Sequence, residues 1–446
     1  MRITHLVAAL AGTALLSPAA SATTLTVLTV GKQAIFTADE GRVRVGRDPR
    51  LSPLSNPLCG GVETRIQLAS YPQATNRLLA QDEVILPCEK WRETGKGFAY
   101  EDASGSAGGV TKIIYSRKRL QVQFGGEHYV PLPGPVGYAE LWFTVGDTRL
   151  LARFHNFTTN DATELVTVKA SKLAADGEWA FWEVLLGDDK SDENQVKALT
   201  LLGKATNKDR KDGRSPFLCG MMHLYRFGLF YDGAGKPTAA SRAEIDAAVD
   251  AFEVAEPRLW DGTSGDSRVP GFVAGARFSQ GYAHGREDLM NEAIADLEAA
   301  VAVNPFFNVF DRIFVIQALP RTDPRWQDAF DIVITYLEDP ETVACVGEQP
   351  EICGNDGFTV HNTGGSLLLF GDIYAKAGNA ERAGFWYALA KAFGGSPESP
   401  WPFQALADER VLDVENRVAR YLDEDPDNDD PVAGLREENC AICHNR

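Results

Sequence analysis

Apolar and polar positions follow two different periods along the chain. From Thr24 to about Phe157, short runs rich in valine, isoleucine, threonine, tyrosine and phenylalanine alternate with glycine, proline and asparagine clusters, a pattern typical of β-strands. After about Asn160 the period changes to near 3.6, and alanine, leucine and glutamate dominate as far as Asp423, which predicts helices. The sequence therefore predicts an α+β fold in which a β-domain precedes a helical domain.

Two hairpins are predicted within the first half. Gly146-Asp147 separates the strand-like runs 141–145 and 148–154, and a two-residue loop of this kind suits the turns whose twist matches paired strands. A second hairpin is predicted from Ile113 to Phe124 through Ser116-Arg117-Lys118. We therefore expect residues 23–160 to form an antiparallel β-sandwich or barrel.

The helical half repeats a spacing of small and aromatic residues. In one segment Gly371 and Tyr374 are followed by Ala383, Tyr387 and Ala390. A second segment has small or apolar residues at matching positions, followed by a proline: Gly281, Ala293, Leu297, Ala300 and Pro305. A weaker third match consists of Trp182, Leu185, Ala198, Leu202 and Ala205. Small residues at these offsets let two antiparallel helices touch, and the aromatic residue fills the space between them.

This spacing resembles the tetratricopeptide repeat. The resemblance implies about five helix pairs within a helical domain at residues 161–422, and a curved surface that binds protein segments. The unit spacing is irregular, and a non-repetitive helical domain is the alternative.

Composition and charge narrow the function classes. The chain has 446 residues, with 44 Lys and Arg against 62 Asp and Glu, so the formal net charge is −18. This charge opposes binding to nucleic acid and to anionic membranes. The sequence also contains none of the H-E-x-x-H, P-loop, G-x-S-x-G or dinucleotide-binding motifs, so we expect an electron carrier or a scaffold rather than an enzyme.

The first 22 residues have the pattern of an export signal. Arg2 supplies a basic start, residues 6–16 are apolar, and Ala20-Ser21-Ala22 is a small-residue cleavage site. A buried N-terminal helix is the alternative. No later apolar run approaches the ~18 residues that a membrane span needs. We expect an exported protein without a membrane span, periplasmic if the host is a Gram-negative bacterium.

Of the seven cysteines, four are predicted to form disulfides by proximity in an oxidising compartment, Cys59 with Cys88 and Cys345 with Cys353. Cys219 lies in an apolar run and is expected to be a buried, unreactive thiol. The long loop that carries Cys345 and Cys353 is either a disulfide-linked projection or a gate over a bound group.

The remaining cysteines lie in a spacing with specific chemistry. Cys440-x-x-Cys443-His444 resembles the haem-attachment motif of c-type cytochromes. The resemblance implies one haem c bound covalently through Cys440 and Cys443, with His444 as an iron ligand. A Cys440–Cys443 disulfide or redox pair, and a zinc site, are the alternatives.

The resemblance to cytochromes covers only these five residues, and no cytochrome fold accompanies it. Because an exposed haem would present a large apolar face to water, we expect it to dock on this chain or on a partner. Candidate sixth ligands are His361 and the cluster Met221-Met222-His223. The pattern predicts a single-haem electron-transfer protein whose helical repeats hold a redox partner or envelope protein, or alternatively a non-redox scaffold.

Residues 423–446 form an acidic tail with eight acidic and two basic side chains. We expect this tail to be extended and solvated because its carboxylates repel one another. The spacing of Asp423, Asp425, Asp427 and Asp430 also gives a candidate Ca²⁺ site, although it lacks the glycine and terminal glutamate of an EF-hand.

Overall fold

The computed structural model of the chain describes residues 24–339 and 360–432, apart from short gaps at 31, 47, 53, 74–78, 156, 168–169, 187–189, 233–235, 306, 393–394, 397–398, 401–402, 424, 426–427 and 431. The expected signal peptide, the pair Cys345 and Cys353, and the motif at residues 440–444 lie outside the described residues.

Two sheets form the N-terminal half. The smaller sheet has the order β1-β12-β11-β4-β5, with β6 beside β4, and consists of β1 (Thr24–Val27), β12 (Thr148–Phe154), β11 (Val136–Val145), β4 (Thr64–Pro72), β5 (Leu79–Ala80) and β6 (Val84–Ile85). The larger sheet runs β13 (Phe157–Asn160), β14 (Glu164–Thr167), β2 (Gln33–Thr37), β3 (Gly41–Gly46), β10 (Arg119–Phe124), β9 (Val110–Ser116), β8 (Gly97–Glu101) and β7 (Trp91–Thr94). All strand pairs are antiparallel except β1 with β12.

The strands that the structure describes thus form a β-sandwich rather than a single closed barrel. Both predicted hairpins are confirmed, since β11 pairs with β12 across Gly146-Asp147 and β9 pairs with β10 across Arg117-Lys118. Gly146 has φ +58, the left-handed conformation that this turn requires. The larger sheet continues to Thr167, beyond the change of sequence period near Asn160.

The smaller sheet is the middle layer of three. Along β12, Leu150, Ala152 and Phe154 enter the core between the two sheets, whereas Leu151 packs against helices on the opposite face. Trp142 of β11 also faces the helices. Successive side chains of a strand point to opposite faces, so a strand covered on both sides is buried along its whole length.

The helical half consists of successive antiparallel pairs. The helices are α1 (Lys172–Leu186), α2 (Asp192–Lys208), α3 (Arg214–Leu229), α4 (Ala239–Leu259), α5 (Val269–His284), α6 (Glu287–Val303), α7 (Ile313–Ala318), α8 (Pro324–Leu337), α9 (Val360–Lys376), α10 (Ala380–Ala392) and α11 (Gln404–Leu422). A 3₁₀ turn, Asn308–Arg312, precedes α7, and a short hairpin of β15 (Gly395–Ser396) and β16 (Ser399–Pro400) precedes α11.

Each of the five pairs from α1–α2 to α9–α10 packs internally, and neighbouring elements pack in succession. In α6, Ala293, Leu297 and Ala300 are buried, as the repeat spacing predicts. The predicted α+β class, with a β-sandwich followed by paired helices, is therefore confirmed.

The predicted disulfide between Cys59 and Cys88 is present. It joins the loop before β4 to the 3₁₀ turn before β7, at the edge of the sandwich. In the described part of the chain, no helix combines the length and apolar character needed to cross a membrane.

Candidate functional site

The segment that ends at Val432 is held on the helical domain. Val432, the last described residue, is 2% exposed and packs in the core that contains Trp326 and Ile373. The Asp430 carboxylate accepts a hydrogen bond of 2.8 Å from Arg420 Nε and lies 3.0 Å from Arg417 Nη1. The expectation of a wholly solvated tail is therefore wrong for Asp430 and Val432, because two arginines offset the acidic charge and an apolar core covers Val432.

The acidic residues considered for Ca²⁺ have other partners. Asp423 accepts hydrogen bonds from the Asp425 N–H at 3.0 Å and from Asn428 Nδ2 at 2.9 Å. Asp430 is paired with arginines, and Asp427 lies outside the described residues. Among the described residues, the only group of three potential ligands at metal-binding spacing is Cys59, Cys88 and Glu89. Its two sulfur atoms are joined in the disulfide, so they are unavailable as thiolates.

The candidate sixth ligands lie on helices α3 and α9 of the helical domain. Met222 is fully buried in the core against the smaller sheet, and the His223 Nδ1 atom lies 2.7 Å from Glu244 Oε2. His361 belongs to α9, but its side chain lies outside the description. Met222 and His223 could bind iron only if their present contacts were broken.

Cys219 is a free cysteine on α3, packed beside the core that covers the smaller sheet. Burial raises the pKa of its thiol to about 11. The thiol is therefore protonated at neutral pH, as expected for an unreactive cysteine.

A polar cavity of about 90 Å³ lies where the smaller sheet meets the first helices. The sheet contributes Arg153, Phe154 and His155 at the end of β12, and Lys32 comes from the segment between β1 and β2. Thr167 of β14 also lines the cavity. The helical domain contributes the other lining side chains, among them Ser171, Ala174, Glu178, Asp212, Arg214 and Ser215. The cavity therefore needs both halves of the chain.

Lys32 and Glu178 form a buried ion pair in the lining of the cavity. Lys32 Nζ lies 3.2 Å from Glu178 Oε2 and donates a 2.7 Å hydrogen bond to the Arg153 carbonyl oxygen. Burial lowers the pKa of the Lys32 ammonium. Burial alone would raise the pKa of Glu178, but attraction to Lys32 and Arg214 holds it below its ordinary value. The carboxylate form of Glu178 is therefore stabilised by the cations around it.

Arg214 and His155 present unsatisfied nitrogens in this region. Arg214 lies 4.0 Å from Glu178, and burial lowers its pKa to about 10. His155 is 8% exposed, and its pKa lies well below its ordinary value because of burial and four surrounding cations, Arg214, Arg153, Lys32 and Arg268. Neither Arg214 Nε nor His155 Nε2 has a hydrogen-bond partner among the described residues.

Strand register explains why the sheet side of this region is polar. Glu140 of β11 lies directly opposite Arg153 of β12, and Arg153 Nε donates a 2.5 Å hydrogen bond to Glu140 Oε1. Trp142 Nε1 donates to the other carboxylate oxygen of Glu140 at 2.9 Å. Glu140 lies two positions from Trp142, and Arg153 lies two positions from Leu151, and Trp142 and Leu151 both face the helices. Because alternate side chains of a strand point to the same face, Glu140 and Arg153 also face the helices.

The sequence pattern gives only an indirect indication of this cavity. A signal was present, because Glu140 and Arg153 are charged residues inside otherwise apolar strands, and buried charges require partners. The signal gave no means of locating Lys32 or Glu178, which are 146 positions apart in the sequence.

No family model matches the chain, and neither the curated proteins nor the solved structures contain a match.

Proposed function

We propose that this chain is an exported single-haem electron-transfer protein of the c-type, whose paired helices bind a redox partner. Cys440 and Cys443 would hold the porphyrin through thioether bonds, and His444 would bind its iron. The bound haem would supply one-electron oxidation and reduction. The single observation that carries the proposal is the Cys440-x-x-Cys443-His444 spacing.

The three cysteines that the structure describes do not compete with haem for Cys440 and Cys443. Cys59 and Cys88 are paired with each other, and the Cys219 thiol is largely buried in α3. None of these three is therefore an accessible disulfide partner for Cys440 or Cys443. A disulfide is also typical of a protein that matures in an oxidising compartment, which agrees with the export signal and with the compartment of haem attachment.

The attachment of Val432 limits where the haem could lie. Cys440 follows Val432 by eight residues, and an extended chain covers at most ~3.3–3.6 Å per residue, so Cys440 lies within about 29 Å of Val432. The haem would then be presented close to α9 and α11, whose side chains hold Asp430 and Val432 in place. This arrangement favours a haem presented from the helical domain rather than from a fully free terminus.

The test is expression in a host with haem-attachment machinery, followed by intact mass measurement and ultraviolet-visible spectroscopy. We expect the mass of the polypeptide plus one haem, and a reduced α-band that persists after acid-acetone extraction. The double variant Cys440→Ser/Cys443→Ser should lose both signals, whereas the control Cys219→Ser should keep them. A wild-type protein without haem, produced in a host shown to mature other c-type cytochromes, would refute the proposal.

A scaffold without redox function is the second candidate, and the stack of five helix pairs favours it. Here Cys440 and Cys443 would form a disulfide. The same double variant separates the two candidates. If a partner captured by the wild-type protein binds the double variant equally well and no haem is found in either, the scaffold function is supported.

A further inference from the structure

Cations cluster around His155 at the cavity between the smaller sheet and the first helices, namely Lys32, Arg153, Arg214 and Arg268. Three carboxylates pair with members of this group, Glu178 with Lys32, Glu140 with Arg153, and Asp266 with Arg268. Arg214 shares Glu178 with Lys32, at the longer distance of 4.0 Å. Arg214 is therefore the most weakly paired cation of this cluster.

The remaining acidic residues of the lining have their own partners. Asp212 Oδ1 accepts hydrogen bonds from the N–H groups of Arg214 and Ser215 at 3.0 and 3.1 Å, and the Ser215 hydroxyl donates to Oδ2. Asp209 Oδ1 accepts a hydrogen bond from the Lys211 N–H at 3.0 Å. Both carboxylates are therefore engaged by backbone N–H groups at the start of α3 and just before it.

The N-terminus of α1 also lies at this cavity. Ser171, before the helix, and Ala174, in its first turn, line it, whereas the N-terminus of α3 is already capped by Asp212. Helix N-termini carry partial positive charge, which favours a bound anion. The unsatisfied nitrogens of His155 and Arg214 are the independent sign that a hydrogen-bond acceptor is missing here.

We propose that this cavity binds a small oxyanion, either inorganic phosphate or the carboxylate of a small organic acid. Its oxygens would accept hydrogen bonds from His155 Nε2 and Arg214 and would offset the charge of Arg214. The volume of about 90 Å³ suits such a group, since one water needs roughly 10–15 Å³ of comparable space. The site lies apart from residues 433–446 and does not depend on the haem proposal.

The test measures binding of inorganic phosphate and of acetate to the full-length protein by calorimetry, at constant ionic strength. We expect at least one of the two anions to bind at millimolar concentration or below and to raise Tm. Binding of phosphate alone identifies phosphate as the ligand class, and binding of acetate alone identifies a carboxylate. The pKa of the His155 imidazole, followed by NMR of labelled histidine, should rise in the complex because the anion stabilises the protonated ring.

His155→Phe is the sharpest variant, because it keeps a ring beside Tyr138, 5.6 Å away between centroids, and removes both ring nitrogens, including the unsatisfied Nε2. We expect it to fold as well as the wild-type protein and to bind the anion about tenfold more weakly. Arg214→Met should weaken binding by about tenfold or more. His284→Phe, the same change at a histidine outside the cavity, should bind as the wild-type protein does. Failure of both anions to bind the wild-type protein, or equal binding by His155→Phe, would overturn the proposal.

Discussion

Gly371 of α9 lies directly against the ring of Tyr387 on α10. A Cβ atom placed on Gly371 would be 2.3 Å from two ring carbons of Tyr387. Tyr387 is fully buried, and its hydroxyl donates a 2.5 Å hydrogen bond to Asp372 Oδ1. Glycine is therefore required at this helix crossing for a steric reason, since the tyrosine cannot move without losing its hydrogen bond.

Gly371→Ala is expected to destabilise the protein by about 1–3 kcal/mol, the range for inserting a methyl group into a packed core. Gly384→Ala is the matched control, because it lies in α10 with no atom within 4 Å of its added Cβ. The control should be neutral or more stable by about 0.5–1 kcal/mol, since alanine favours the helix. Urea unfolding of both variants is the measurement, and equal effects would contradict the steric argument.

The buried carboxylate of Asp372 on α9 binds side chains of two other helices, Tyr387 of α10 and two arginines of α11. Its Oδ1 accepts 3.0 Å hydrogen bonds from Arg410 Nε and Arg417 Nη2, both on α11, and its side chain is fully buried. Asp372→Asn removes the buried counter-charge of Arg410 and one of the two carboxylates paired with Arg417, the other being Asp430, and we expect a loss of about 3 kcal/mol or more. Asp408→Asn, which breaks the exposed ion pair with Lys391, should cost less than about 1 kcal/mol. Chemical unfolding should show this difference, and similar losses would refute it.

Asp311 is expected to make stability depend on pH. Burial raises its pKa well above the ordinary carboxyl value, against the weaker opposing effect of Arg268. Asn308 Nδ2 donates to the carbonyl oxygens of Ser267 and Ala300, so its Oδ1 is fixed as an acceptor beside Gly271, where Asp311 Oδ2 also lies. Two acceptor oxygens in one place favour a protonated Asp311.

A carboxyl group whose folded pKa is raised contributes its full stability below the unfolded pKa, and this contribution is lost as the pH rises through the folded value. Asp311→Asn is therefore expected to match the wild-type protein at acidic pH and to exceed its stability at neutral pH by about 1–3 kcal/mol. Asp331→Asn, an exposed change on α8, is the control and should leave the difference between the two pH values unchanged. Thermal unfolding at both pH values is the measurement, and a lower stability of Asp311→Asn at neutral pH would contradict the argument.

Local patterns could predict the elements of this fold because their causes lie within a few residues. Gly146-Asp147 determines a hairpin through its own backbone conformation, and Gly371 with Tyr387 reflects the contact between two adjacent helices. Other helix pairs also place a glycine of one helix against a side chain of the next. A Cβ atom added to Gly177 would lie 3.0 Å from Leu202, one added to Gly220 would lie 2.8 Å from Phe252, and one added to Gly281 would lie 2.8 Å from Met290.

The cavity and the held tail depend instead on contacts between distant residues. Lys32 meets Glu178 only after the sandwich has packed on α1, and nothing near either residue in the sequence specifies the other. The acidic composition of the tail likewise predicts that its carboxylates repel one another. It does not reveal that Asp430 pairs with Arg417 and Arg420 of α11. Charge composition gave the wrong expectation there, because it counts charges without locating their partners.

Val432 makes the apolar contact that holds the C-terminal end of the described chain on the helical domain. Val432→Ala removes two buried methyl groups, and at ~0.8 kcal/mol for each buried carbon we expect this segment to open more easily by about 1.5 kcal/mol, or roughly tenfold. Hydrogen exchange of peptides covering residues 423–432 measures the opening. Val254→Ala, a change at a valine on α4 that is 37% exposed, is the control. We expect faster exchange in this segment only for Val432→Ala, with Tm of the sandwich almost unchanged, because the contact tethers the tail rather than the β-domain. Unchanged exchange in Val432→Ala would mean that Asp430 and its arginines hold the segment without help from the apolar core.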